Sequence, residues 1–138
     1  MTDIAILDYG AGNLASVQFA FERLGARVRR VSDAAGIDAA ERLVLPGVGA
    51  AAWAMGRLDA LGLSDPIRAF SRPLIGLCLG QQLLFESSAE GDAAMLGLIP
   101  GQVTALTPGP GLTVPHMGWS ALSDLADDPL TEGVEDGA

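Results

Sequence analysis

Cys78, the single cysteine of the chain, stands in Gly76-Leu77-Cys78-Leu79-Gly80, between an apolar run and a segment of helical pattern. A reactive side chain on such a strand–turn–helix junction projects out of the sheet, and small flanking residues let the backbone turn that sharply. The start of the following helix offers unpaired N–H groups and positive potential to an anionic sulfur. A cysteine so placed could attack a carbonyl or amide carbon. The other reading of a single cysteine is a small buried hydrophobe. Pro46-Gly47-Val48-Gly49 also closes an apolar run. Its glycines free the backbone to turn N–H groups toward a cleft, where they could donate to a developing oxyanion. Alone, the same loop is a plain strand-to-helix turn.

Gly10-Ala11-Gly12-Asn13-Leu14-Ala15 matches G-x-G-x-x-A after an apolar run, and Asp33 follows the next strand. That spacing admits a Rossmann-type nucleotide binder; the alternative is a glycine turn that packs a helix on a sheet. His116 is the only histidine, in Val114-Pro115-His116-Met117-Gly118-Trp119. Nothing in its spacing shows proximity to Cys78, so a structural or interface role is expected. Glu86 and Glu90 lie four apart, which on a helix puts them on one face. Such a face is commonly solvated, though a carboxylate so near Cys78 could hold a substrate amine. One cysteine permits no internal disulfide and no multi-cysteine metal site.

These residues need elements to position them. Ile4-Ala5-Ile6-Leu7 reads as a buried strand. Leu14, Val17, Phe21 and Leu24 then recur at helical spacing, stopped by Gly25. Val28 and Val31 sit in a second strand, and Leu43-Val44-Leu45 in a third. Residues 50–70 read as helical, with Trp53, Leu58 and Leu61 as apolar contacts and a break near Gly62 and Pro66. Leu74-Ile75-Gly76-Leu77 is a fourth strand, followed by a helix over 81–88. Strands apolar on both faces and separated by helices predict an α/β fold, a mostly parallel sheet with helices on both faces. From Leu96 the pattern shortens to β-like pieces at 97–99, 103–106 and 112–114, two of them separated by a Pro- and Gly-rich turn.

The chain has 138 residues, about the length of one domain, and is 49% hydrophobic, too apolar for a disordered chain. Its eight cationic residues are all arginine; against 17 acidic residues they leave a net charge of −9. That balance argues against a nucleic-acid binder working by phosphate neutralisation. The N-terminus lacks the basic pattern of a targeting peptide, and the longest apolar stretch, 43–56, is too short and too broken to span a membrane. A cytoplasmic protein is the expectation.

Taken in order, Asp8-Tyr9-Gly10-Ala11-Gly12-Asn13, Leu45-Pro46-Gly47-Val48-Gly49, the run from Pro73 to Glu86 through Cys78, and Val114-Pro115-His116-Met117-Gly118-Trp119 resemble class I (triad) glutamine amidotransferases of flavodoxin-like fold. More narrowly, they look like the glutaminase subunits of imidazole glycerol phosphate synthase, from histidine biosynthesis. The cysteine junction marks the superfamily; the opening motif and the Pro-His-Met-Gly-Trp segment point to this subunit family.

The resemblance implies that Cys78 attacks the side-chain amide of glutamine, giving a thioester and releasing ammonia. Backbone N–H groups of Val48 or Gly49 and of Leu79 would hold the oxyanion; Gln82 and Glu90 would hold the α-substituents of glutamine. Ammonia would pass to a (β/α)8-barrel cyclase subunit, with Asn13, His116, Met117 and Trp119 toward that partner. No cofactor, metal, nucleic acid or membrane is implied. The family's triad is Cys-His-Glu, and no position here matches its His or Glu. His116 belongs to the Pro-His-Met-Gly-Trp segment and is not that base. Gln81 stands where the family commonly has methionine. The expectation is therefore a single type 1 glutamine amidotransferase domain over 1–138, truncated at its C-terminus. A noncatalytic amidotransferase-like interaction subunit and the nucleotide binder are the alternatives.

Overall fold

Four short strands line up in parallel in a computed structural model that describes residues 2–138. They are β1 (Asp3–Leu7), β2 (Arg27–Val31), β3 (Leu43–Leu45) and β4 (Leu74–Gly76), in the order β2-β1-β3-β4. Between them run α1 (Leu14–Arg23), α2 (Ala34–Asp38), α3 (Ala51–Ala60) and α4 (Ser64–Arg68). The sheet separates two apolar layers because successive strand residues face opposite sides. Ile4, Ile6 and Val44 meet Leu14, Val17 and Phe21 of α1. Ala5, Leu7, Leu43 and Leu45 meet Ile37 of α2, Met55 and Leu58 of α3, and Ile67 of α4. The expected α/β fold with helices on both faces is the one observed.

The chain divides into two compact units, one ending at Ala105 and the other Leu106–Ala138. The first contains every strand and helix named so far. It continues with α5 (Leu79–Gln82), β5 (Phe85–Ser88), a 3-10 turn (Glu90–Asp92), β6 (Ala93–Ala94) and β7 (Ile99–Val103). In this second sheet, ordered β6-β5-β7, β5 runs antiparallel to β6 and parallel to β7. In the second unit, turns and bends surround one isolated bridge, Gly109 with Leu112. Its prolines and glycines give it little helix propensity.

Several elements differ from expectation. The helix expected over 81–88 is only α5, and its second half is strand β5. Long-range pairing wins here: the Leu84 carbonyl accepts from the N–H groups of Leu98 and Ile99, and β5 is paired on both edges. Glu86 and Glu90 consequently do not share a helix face. The β-like pieces at 97–99 and 103–106 reduce to one strand, β7, and 112–114 forms none beyond the bridge at Leu112. The segment 50–70 breaks at Gly62 (φ +66°), as expected, but Pro66 lies inside α4. It sits in the first turn, where a missing N–H costs no helical bond.

Leu58 is buried as expected, whereas Trp53 and Leu61 point outward from α3, and Leu24 outward beyond α1. Strand β2 is not apolar on both faces: as an edge strand it carries exposed Arg27, Arg29 and Arg30 and buries only Val31. An edge loaded with charge resists further strand pairing.

Candidate active site

Parallel strands end on one side of their sheet, so the loops after β1, β3 and β4 converge there. The contacts are close. A Cβ on Gly12 would lie 3.2 Å from Cβ of Pro46, and a Cβ on Gly47 would lie 2.8 Å from the Gly80 amide and 3.0 Å from Cβ of Leu79. A Cβ on Gly80 would fall on the Leu45 carbonyl. Glycine at 47 and 80 is therefore a condition for the loop after β3 to lie against the turn after β4.

Cys78 occupies that turn with φ 55° and ψ −119°, a backbone conformation normally left to glycine. It is exposed, so the alternative reading of a buried hydrophobe fails. The turn is held by the N–H of Leu77 donating to the Leu45 carbonyl (3.0 Å), and by the Cys78 carbonyl accepting from Gln81 (3.0 Å) and Gln82 (3.3 Å). Strain kept by surrounding contacts at an exposed nucleophilic side chain is what a reactive elbow requires. The four-residue α5 has few aligned peptides, so the potential at its N-terminus comes from local N–H groups rather than a long helix.

The loop after β3 lies beside this turn. Gly49 has φ +89°, and Val48 is half exposed. At its root the buried Tyr9 hydroxyl donates to the Pro46 carbonyl (2.9 Å). Burial pushes the Tyr9 phenol up to about 12, so it remains protonated and a donor. Sequence reasoning passed over Tyr9; the only signal was its place between Asp8 and Gly10 at the end of β1.

Gln82 and Glu90 are brought together by the fold. Both line a cleft of about 410 Å3 with Ser88, Val103 and Thr104. The buried Ser88 hydroxyl accepts from the Glu90 N–H (3.1 Å) and holds the 3-10 turn. Cys78 does not line this cleft; it precedes α5, whose last residue is Gln82. Glu86 does not line this cleft; one oxygen of its carboxylate accepts from the Gly101 N–H (2.9 Å). Asn13 caps α1, accepting from the Ser16 N–H (3.2 Å). Asp33 likewise caps α2 through Gly36 (2.7 Å), which explains it without a nucleotide. His116, Met117 and Trp119 lie in the second unit, where His116 Nε2 is 2.8 Å from Ser120 Oγ and Met117 and Trp119 are exposed. No cluster of His, Cys, Asp and Glu suited to a metal occurs among the described residues.

No family model matches the chain. Individual relatives do. It is 54% identical, over all 138 residues, to the imidazole glycerol phosphate synthase subunit HisH of Xanthomonas axonopodis pv. citri, and 52% identical to that of Xylella fastidiosa strain Temecula1. In both cases it spans 69% of the relative's length.

The chain belongs to the HisH family.

HisH membership assigns the chain to glutamine amidotransferases and to histidine biosynthesis, and it removes the nucleotide-binding alternative. A solved structure described as a glutamine amidotransferase has the same fold: its TM-score is 0.63 at 22% identity, over 73% of this chain and 55% of that one.

Proposed function

We propose that the chain supplies the glutamine-binding and nucleophilic part of a HisH glutaminase that delivers ammonia to a (β/α)8-barrel cyclase. The observation that carries this reading is Cys78, held exposed at positive φ in a turn whose Leu79 and Gly80 pack against Gly47, in a chain of this family. The Cys78 sulfur adds to the amide carbon of glutamine, and the carbonyl electron pair moves onto oxygen. N–H groups of Val48 or Gly49 and of Leu79 donate to that oxyanion. Collapse breaks the C–N bond, nitrogen leaves with a proton as ammonia, and water then cleaves the thioester to glutamate and free thiol. Gln82 and Glu90 hold the α-carboxylate and α-ammonium of glutamine from the cleft they share.

On this reading 1–138 is the larger part of a single type 1 amidotransferase domain, cytoplasmic, and part of a heterodimer. Asn13, His116, Met117 and Trp119 face the cyclase, which uses the ammonia to make imidazole glycerol phosphate and an aminoimidazole carboxamide ribotide. The proton transfers belong to the His–Glu pair of the family's triad.

The test is glutamine hydrolysis by the chain with the cyclase subunit added. Ammonia release that disappears in Cys78→Ala supports the reading. Cyclase binding with no release above the Cys78→Ala background assigns this chain instead to an interaction role.

A further inference from the structure

We infer that Tyr9 is a positioning residue for the oxyanion site: its hydroxyl clamps the Pro46–Gly47 peptide, the root from which the N–H groups at Val48 and Gly49 extend. The inference rests on the glutaminase reading above and assigns a part of that site. Tyr9 is 1% exposed, and its hydroxyl donates to the Pro46 carbonyl at 2.9 Å. A carbonyl oxygen held by a buried donor cannot rotate without leaving both groups unpaired, so the plane of the Pro46–Gly47 peptide is held with it.

Beyond that peptide the loop has little else to hold it. Val48 is half exposed, and a Cβ on Gly49 would meet nothing within 4 Å. Gly47, by contrast, is wedged between the Tyr9 hydroxyl and the Gly80 amide, with 3.0 Å and 2.8 Å to its would-be Cβ. Tyr9 is itself anchored, because Arg57 Nε of α3 donates to its carbonyl (3.4 Å). The chain of contacts therefore runs from α3 through the loop after β1 to the loop after β3, and ends beside Cys78. Donors help an oxyanion only when they are aimed in advance at the oxygen, and the hydroxyl fixes the peptide from which these donors extend.

The test alkylates Cys78 with a chloroketone analogue of L-glutamine in wild type and Tyr9→Phe. Sulfur displaces chloride: the S–C bond forms, the C–Cl bond breaks, and the thiol proton goes to solvent, while the ketone oxygen draws on the same N–H donors. The expected result is a maximal alkylation rate lowered by about ten-fold or more in Tyr9→Phe, with the half-saturating concentration changed by less than about two-fold. Methyl methanethiosulfonate, which has no carbonyl, should modify Cys78 at the same rate in both.

An unchanged maximal rate in Tyr9→Phe overturns the inference and leaves the glutaminase reading standing. So does an equal slowing with both reagents, which would mean that the hydroxyl acts on Cys78 itself. Absence of saturable alkylation in wild type overturns both. If circular dichroism shows Tyr9→Phe unfolded, the comparison is made in an excluded osmolyte that restores the folded state.

Discussion

At the scale of single residues, the site is built by placing the wrong residue type at one position and the only possible type at its neighbours. Cys78 holds a backbone conformation that suits glycine, while Gly47 and Gly80 hold close approaches that exclude every side chain. Strain at Cys78 of about 1–3 kcal/mol should be relieved by glycine, against about 0.4–1 kcal/mol for the freer unfolded chain. Cys78→Gly is therefore expected to stabilise the chain by about 1 kcal/mol in urea unfolding, with no such gain in Cys78→Ala. A destabilised Cys78→Gly would show that the turn is relaxed and that strain is no part of the nucleophile's presentation.

Elements were legible from the sequence where local pattern and tertiary packing agree. Strand β1 declares itself by four consecutive apolar residues, and α1 by Leu14, Val17 and Phe21 at helical spacing ahead of Gly25, which has φ +80°. The three loops on the C-terminal side of the sheet follow from glycines that no helix or strand interior would choose. What could not be read was β5, because Phe85–Ser88 becomes a strand only through β7 and β6, its partners from later in the chain. The same holds for Tyr9, whose hydroxyl reaches a carbonyl 37 positions away. Local chemistry fixes Asn13 more simply. Its carboxamide caps α1, so Asn13→Ala should cost about 1 kcal/mol, measured by thermal or urea unfolding, whatever the residue also does at an interface. A loss close to zero would mean that the cap is not formed in solution.

On the scale of the whole molecule, two supports bear on function: an α/β sheet whose loops converge on Cys78, and membership of the HisH family at 54% identity. A fold alone hosts many chemistries, and the sheet order by itself would have left the nucleotide binder standing. The capping role of Asp33 and the relatives together decide against it.

The most direct test is to expose the chain to the L- and D-enantiomers of the glutamine chloroketone and map the adduct by peptide mass. The account predicts a single adduct on Cys78, formed at least about ten-fold faster with the L-enantiomer, a difference of about 1.4 kcal/mol, and suppressed by L-glutamine. Equal rates for the two enantiomers, or no protection by glutamine, would mean that Cys78 is merely an exposed thiol and would contradict the account.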